Sequence, residues 1–495
     1  MGQPRERRIK IISTLAKKNI IILTAVLTVV LFSRTLLNGK NMKPLRVGII
    51  QKNELELIER LKTLTPFNYQ LHSDAMILRS LHGRLVQYDS RGQLQGVLAE
   101  EWSWEDTTLT ISPLKNVTST SGIPLTSAII ANSLKMTILK KKEVHGALYS
   151  SLKGNTPEEK LSSIVDNGEK VEIHFISYSD LIIPTLAAVE YSIVLNPESI
   201  SNSDTFGPYH VINDTTILHK NNNVPSEITA QCESIKFVPF EFSNELAEAF
   251  INNKIDIIPT STTIPENFEN KIIEEKIGIQ HVTLPIKLSF FYVFNKSRDL
   301  SQDEINYARV SLQTFMQKIG YGNTFQIFPK GADGWVEQIS SNISIDTPKR
   351  KISIGILKGS SEMAMMEDLV NFNNLFELKI LNTPDERKSE IFDIYWVGYV
   401  DVTYKRSLAQ VIYTKTMGLN SWDDSKWMNF IETFKFKADD SERIKMLEEL
   451  NFSVQENSPS LIPVRHTPYK AYIRNGWVLD ASTSFSFTPL YKVSR

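Results

Sequence analysis

The sequence has very little cysteine, since Cys232 is the only one among 495 residues. With one thiol, no intrachain disulfide can form, and no cysteine cluster can hold zinc or an iron–sulfur centre. Cys232 stands between Gln231 and Glu233 without a base nearby in sequence, which indicates an incidental small residue and not a nucleophile. A lipoprotein anchor would need a cysteine directly after an apolar N-terminal segment, and none occurs there.

The sequence also lacks an excess of positive or negative charge. Its 55 Lys and Arg residues nearly balance 56 Asp and Glu residues, which gives a formal net charge of -1. This balance excludes the basic footprint of a nucleic-acid-binding protein. The sequence lacks a G-x-S-x-G nucleophile elbow, a G-x-x-x-x-G-K-[ST] phosphate loop and an H-E-x-x-H zinc motif. Carboxylate pairs such as Glu100/Glu101 are typical of a solvated surface. We therefore expect a chain that is not an enzyme, with no catalytic residues, no metal and no cofactor.

Two histidines, His210 and His219, lie nine residues apart on stretches that we expect to be adjacent strands. They could approach each other and act as a pair of metal ligands. Half-exposed strand histidines are the favoured interpretation.

The N-terminus has a basic stretch, Arg5–Lys18, followed by the apolar run Ile20–Phe32 and then Ser33-Arg34. This order is the export pattern, and the positive-inside rule places the basic stretch in the cytoplasm. The run is shorter than the ~20 apolar residues of a spanning helix, and no small-x-small cleavage site follows it. We expect a signal-anchor or an atypical signal peptide, with the anchor preferred. A buried amphipathic helix is disfavoured because the basic and apolar residues are segregated along the chain.

After Arg34, the patterns alternate between strands and helices without a tight βαβ period, which predicts an α/β protein. A chain of this length should form about two or three lobes with their own cores. The clearest predicted strands are Leu45–Ile50, Val171–Phe175 and Lys287–Phe294. The clearest predicted helices are Glu54–Leu64, Asp74–Leu85, Ser127–Lys141, Gln302–Ile319 and Asp439–Val454.

Short motifs recur in a fixed order along residues 45–495. They are Leu64-Thr65-Pro66, Gly92 to Trp102, Gly122 to Leu134, Gly207-Pro208-Tyr209, Phe250–Ile257, Phe294-Asn295 with Tyr307-Ala308-Arg309, and Asp440 to Arg443 with Pro459 to Pro463. In this order they resemble the bacterial extracellular solute-binding proteins of family 5, which include dipeptide-, oligopeptide- and nickel-binding receptors of ABC importers. Each motif alone is weak, but their common order makes chance a poor explanation.

The resemblance implies a periplasmic binding protein-like α/β fold, in which two main lobes are joined by a hinge of two crossover strands and a smaller third lobe packs beside them. It also implies how the chain is divided among these parts. The expected divisions are 1–37 for the basic tip and signal segment, 38–78, 188–275 and 465–495 for lobe I, 79–187 for the small lobe, and 276–464 for lobe II.

The resemblance further implies a function. The chain would capture a peptide or similar small solute in the cleft between the lobes and deliver it to ABC permease subunits, as a periplasmic monomer held at the inner membrane by its N-terminal segment, or released if that segment is cleaved. The alternative is a membrane-tethered scaffold or sensor of the same fold without a role in transport.

Peptide-binding members of the family carry a W-x-a-D-Y segment whose Asp holds the amino terminus of the peptide. The matching stretch here runs from Trp396 to Asp401, and Tyr399 occupies the position of the Asp. Tyr cannot replace a carboxylate that meets an ammonium group. This difference favours a neutral ligand such as a sugar, or a blocked or larger peptide, over a peptide with a free amino terminus. Trp396 and Tyr399 are the best candidates for lining the cleft, with Asp401 as a polar partner. A core or surface role is about as plausible for each of them.

Overall fold

The computed structural model describes the backbone of residues 43–495 except at Gln70, Ser90, 141–145, 213–214, Ser261, Thr263, Pro265, 275–278, 296–297, 320–333, 337–345, 358–362, 382–385, 387–390, 401–423, Ala438, 457–460 and 481–487. The expected signal or anchor segment, 1–37, therefore lies outside the described residues. Across the part of the chain that is described, no helix combines the length and apolar character needed to cross a membrane.

Strands and helices are interspersed along the described residues. The strands are β1 (Leu45–Ile50), β2 (Val86–Tyr88), β3 (Leu94–Gly96), β4 (Ala99–Glu105), β5 (Thr108–Pro113), β6 (Ile164–Asp166), β7 (Val171–His174), β8 (Tyr209–Val211), β9 (Ile217–Lys220), β10 (Ser234–Phe240), β11 (Ile257–Ile258), β12 (Ile279–Phe294), β13 (Ile352–Leu357), β14 (Phe376–Leu381), β15 (Ile394–Val400), β16 (Leu461–Arg474), β17 (Val478–Leu479) and β18 (Val493–Ser494). The helices are α1 (Glu54–Thr63), α2 (His72–Leu81), α3 (Ser127–Lys140), α4 (Gly146–Ser151), α5 (Pro157–Ser162), α6 (Ile182–Leu186), α7 (Ser243–Ile251), α8 (Glu266–Glu274), α9 (Gln302–Lys318), α10 (Met363–Phe372), α11 (Asp424–Phe436) and α12 (Asp440–Glu456).

Ten strands form one sheet in the order β14-β13-β15-β12-β16-β11-β1-β10-β9-β8. We call β11, β1, β10, β9 and β8 the first half of the sheet, and β14, β13 and β15 the second half. The strands β12 and β16 lie between the two halves. In the first half, β1 pairs in parallel with both β10 and β11. Leu45, Val47 and Ile49 of β1 are almost fully buried, as expected for the apolar central strand of a parallel arrangement.

The second half of the sheet has a hydrophobic core of its own. Ile352 and Ile354 of β13 pack in one buried cluster with Leu312 and Phe315 of α9. Helix α9 begins with a capping box, in which Ser301 accepts a hydrogen bond from the Glu304 backbone N–H and the Glu304 side chain accepts one from the Ser301 backbone. Its apolar residues recur at helical spacing and so form one face against the sheet.

A separate four-stranded sheet forms in the order β4-β5-β7-β6. Its Leu109 and Ile173 belong to the same buried cluster as Leu134 of α3 and as Val47 of β1. Trp102 of β4 is partly buried against this cluster, which fits a packing role. This small sheet therefore shares a continuous core with the first half of the large sheet.

The bounds predicted for the helix Asp74–Leu85 are wrong. Helix α2 begins two residues earlier, at His72, and ends at Leu81. His82 leaves the helical conformation at φ -122° and ψ 133°. The backbone at Leu81 is covered by Gly207, where an added Cβ would lie 2.2 Å from the Leu81 carbonyl. The apolar spacing continues past Leu81 because the extended residues that follow are buried as well.

Candidate ligand cleft at the crossover strands

Two long strands connect the halves of the ten-stranded sheet. Strand β12 has 16 residues and β16 has 14, and they pair antiparallel from Ile279↔Arg474 to Val293↔Leu461. At one end β16 pairs with β11 of the first half, and at the other end β12 pairs with β15 of the second half. A strand of this length spans about 50 Å, so each one contributes to both hydrophobic cores.

The ladder between the crossover strands is irregular at two places. The register shifts between Thr283 and Lys287, and again between Phe290 and Phe291. Pro468 lies opposite Lys287 and Pro463 lies opposite Phe291. Because proline has no N–H to donate, each of these positions removes a possible ladder hydrogen bond. The first shift lies where the two strands pass between the halves of the sheet, whereas the second lies where β12 is already paired with β15 of the second half.

A polar pair lies between the crossover strands. The Oγ atom of Ser289 is 2.7 Å from Nδ1 of His466, and either atom can donate the hydrogen bond. Ser289 is fully buried and its backbone is also paired with Tyr399 of β15. Tyr399, Ser289 and His466 therefore occupy one row across three adjacent strands. Sequence reasoning missed Ser289 and His466, because neither belongs to a motif and 177 residues separate them.

Trp396, a predicted lining residue, packs in the core of the second half of the sheet. Its ring stacks on Phe290 at 5.1 Å between centroids and meets Tyr292 edge-on at 4.9 Å. Only 6% of Trp396 is exposed, which corresponds to the core alternative stated above. For Tyr399 the structure describes the backbone alone, and Asp401 lies outside the described residues. Ligand contact by these three residues stays a prediction.

The start of β15 is held by a buried carboxylate. Asp393 accepts hydrogen bonds from Arg350 at 2.8 and 3.0 Å, from Arg298 at 3.1 Å and from the Ser353 backbone at 2.8 Å. Burial disfavours the ionised carboxylate, but these donors outweigh it and lower the pKa of Asp393 to about 2. This network anchors the strand that carries Trp396 and Tyr399.

On the side of the first half, Asp256 connects two strands. Its carboxylate accepts from the Arg46 guanidinium at 2.7 and 2.9 Å and from the Arg46 backbone N–H at 2.9 Å. The hydrogen bond to Asp256 raises the pKa of Arg46 above its ordinary value. Asp256 therefore links the start of β11 to β1 and has a structural role.

A second ion pair lies on β16 where it enters the first half of the sheet. Nζ of Lys470 is 2.6 Å from Oε1 of Glu269 on α8. Burial opposes ionisation of Glu269, but hydrogen bonds from Lys470 and Tyr472 outweigh it, and the pKa of Glu269 is lowered. Because Lys470 is also paired with Thr283, directly before the first register shift, this ion pair fixes one end of the irregular segment.

His210 and His219 are cross-strand neighbours, and Cys232 is a buried free thiol. The two imidazole rings are paired across β8 and β9 with their centroids 6.3 Å apart, and burial lowers the pKa of His210. The Cys232 thiol donates to the Val493 carbonyl, and burial raises its pKa to about 11, so little thiolate forms at neutral pH. Among the described residues, no group of three or more His, Cys, Asp or Glu could hold a metal ion.

The mixed sheet with its two long shared strands has the fold of the family 5 periplasmic solute-binding proteins, as comparison with solved structures shows. Among solved structures, the Escherichia coli murein tripeptide binding protein MppA matches with a TM-score of 0.74 at 14% identity, over 91% of this chain and 98% of that one. DppA from Helicobacter pylori, solved with the peptide STSA, gives a TM-score of 0.71 at 13% identity, over 91% and 98%. NikA from Staphylococcus aureus, solved with Ni(L-His)2, gives 0.67 at 14% identity, over 90% and 99%.

No family model and no curated protein sequence matches the chain. At these identities the structural likeness establishes the fold and nothing finer. The mixed α/β fold of a periplasmic binding protein, expected from the ordered motifs, is therefore confirmed, whereas the division into lobes, the N-terminal membrane segment, the ligand and the transport partner stay predictions.

Proposed function

We propose that this chain is the solute-binding component of an ABC-type importer, which captures a peptide or similar small solute between two lobes and delivers it to a membrane permease. The observation that carries the proposal is the pair of crossover strands, β12 and β16, which contribute to the hydrophobic cores of both halves of the sheet and whose register shifts between Thr283 and Lys287, where they pass from one half to the other. Two strands joining two cores are what hinged closure on a ligand requires. The proposed role is binding without catalysis, in the periplasm, with attachment to the membrane through segment 1–37.

The lobes are proposed to follow the divisions expected from the sequence. Lobe I comprises 38–78, 188–275 and 465–495, and lobe II comprises 276–464, with 79–187 as the small lobe. The placement of β1, β10 and β11 in one half of the sheet and of β13 to β15 in the other supports this division. The separate sheet β4-β5-β7-β6 supports the small lobe, although its core is continuous with that of lobe I.

The ligand is proposed to be recognised without a carboxylate that grips a free amino terminus. Tyr399 stands where peptide-binding proteins of this fold carry that carboxylate, and its backbone adjoins the Ser289–His466 pair. Hydroxyl, imidazole and aromatic groups suit a neutral solute, such as a sugar or a blocked peptide, better than a free ammonium. Asp401 is the proposed second polar contact.

The test is ligand occupancy. The full chain is purified in mild detergent from the cells that make it and then denatured, and the small molecules it releases are identified by mass spectrometry. A peptide or oligosaccharide released in stoichiometric amount is the expected result. The control is the same protein unfolded and refolded in ligand-free buffer, which should release nothing. An empty protein that also shows no thermal shift with peptide or sugar libraries would favour the tethered scaffold or sensor instead.

A further inference from the structure

An ion pair joins the small lobe to lobe II. The guanidinium of Arg443, on α12, donates to both carboxylate oxygens of Asp180, at 3.0 Å from Nη1 and 2.6 Å from Nη2. The Arg443 side chain is only 2% exposed and that of Asp180 is 30% exposed. The two residues are 263 positions apart in sequence, and Asp180 lies just before α6.

Arg443 is also held within its own lobe. Its guanidinium donates to the Phe434 carbonyl at 3.3 Å, to the Lys437 carbonyl, and to Asp440 at 3.3 Å. These acceptors lie at the junction of α11 and α12. The guanidinium is therefore oriented before Asp180 approaches, which reduces the conformational entropy that the contact costs.

The small lobe makes a second polar contact with lobe II near Asp180. Ser150 of α4 donates from Oγ to Oε1 of Glu432 on α11, at 3.1 Å. The end of α4 is tied to the strand leading to Asp180, because the Ile176 N–H donates to the Ser151 carbonyl at 2.8 Å. Each lobe thus offers two polar contacts on one rigid face.

We infer that Asp180 and Arg443, supported by Ser150 and Glu432, form a closure clasp: a contact that exists only when lobe II has closed and that keeps it closed against the small lobe. A bidentate Arg–carboxylate pair is strongly directional, so a change in lobe angle breaks it instead of stretching it. In the open form Asp180 regains water, whereas Arg443 keeps its acceptors at the junction of α11 and α12, so loss of the pair shifts the closing equilibrium and leaves the fold of each lobe in place. The inference rests on the hinged motion proposed above but not on the identity of the ligand.

The experiment measures the distance between the lobes in the full chain without added ligand. Spin labels are attached to Glu158→Cys on α5 and Lys445→Cys on α12, both exposed positions, and the distance distribution is recorded by double electron–electron resonance. The parent chain without introduced cysteines is the labelling control, since Cys232 is buried. Asp180→Asn is expected to raise the population of longer distances about tenfold, because the buried Arg443 guanidinium loses its charged partner.

Glu449→Gln is the matched control, because it removes an equal charge from an exposed position of the same helix, six residues beyond Arg443. It should leave the distance distribution as in the parent. Ser150→Ala removes the second contact without leaving a charge unpaired and should raise the longer-distance population about threefold. The clasp is ruled out if Asp180→Asn and Ser150→Ala both keep the parental distribution, or if Glu449→Gln opens the chain as far as Asp180→Asn. A chain that releases no ligand but shows the expected distances would reject the transport role and retain the clasp.

Discussion

The Nε2 atom of His82 lies 2.9 Å from the Oδ1 atom of Asn202 in the interior of the protein. Both hydrogens of the Asn202 amide are used, by the Leu61 carbonyl at 2.6 Å and the Leu64 carbonyl at 2.9 Å. The amide oxygen must therefore accept, and His82 must donate from Nε2 as a neutral imidazole. Burial lowers the pKa of His82 to about 4, although the hydrogen bond to Asn202 partly opposes this shift.

This pair predicts acid sensitivity. In the unfolded chain His82 takes up a proton near its ordinary pKa of 6.5, whereas the folded chain resists protonation down to about 4. Between these pH values the unfolded state binds more protons, so the free energy of unfolding should fall as the pH drops, by about 3 kcal/mol over the whole interval. Urea unfolding above pH 6.5 and near pH 4 measures the change.

His82→Gln should be less stable than the parent at neutral pH but should lose less stability on acidification. His281→Gln is the matched control, because His281 is exposed on β12. Equal pH dependence in the parent and the His82 variant would show that another group is responsible.

Asp393→Asn should destabilise the second half of the sheet by about 3 kcal/mol at neutral pH, because it leaves the Arg298 and Arg350 guanidinium groups without their buried carboxylate. Chemical denaturation followed by circular dichroism measures the loss. The control Asp368→Asn, on an exposed position of α10, should change stability by less than about 0.5 kcal/mol. Similar effects of the two substitutions would contradict the assigned role of Asp393.

Gly207→Ala should destabilise the protein by about 3 kcal/mol or more, because its Cβ would overlap backbone atoms of Leu81 and His82 that cannot move away. Gly48→Ala is the comparison. Its Cβ would meet Ile255 Cδ1 at 2.6 Å, which is the end of a side chain that can change rotamer. The melting temperature of the Gly207→Ala variant should be lower than that of the Gly48→Ala variant. A more stable Gly207 variant would mean that the segment before β8 can shift.

The elements predicted well from the sequence are those whose signals are local. Strand β1 has the predicted bounds, Leu45–Ile50, because a short apolar β-branched run is sufficient to specify it. Helix α9 begins at the predicted residue because Ser301 and Glu304 form its cap within three positions of each other. Helix α2 was predicted too long because apolar periodicity does not distinguish a buried helix from the buried extended residues after it.

The order of the strands and the candidate site depend on contacts that no local pattern encodes. Arg46 meets Asp256 across 210 residues, and Ser289 meets His466 across 177. A tryptophan on a strand has the same sequence pattern whether it faces a core or a cleft. The family resemblance implied the two crossover strands, but it did not indicate the ion pair between Asp180 and Arg443.

Trp396 is expected to stabilise the core, whereas Tyr399 and Asp401 are expected to contact the ligand. Trp396→Phe should lower the free energy of unfolding by about 2 kcal/mol, because it removes buried ring area that contacts Phe290 and Tyr292. Tyr399→Ala and Asp401→Asn should leave stability within about 0.5 kcal/mol if they act on the ligand. With the solute released from the native chain, isothermal titration calorimetry should then show Kd raised about tenfold or more by Tyr399→Ala and Asp401→Asn, and by less than about threefold in Trp396→Phe. A loss of affinity in the Trp396 variant alone, at unchanged stability, would instead make the indole a ligand contact and would move the binding surface to the face of β15 that now packs on the core.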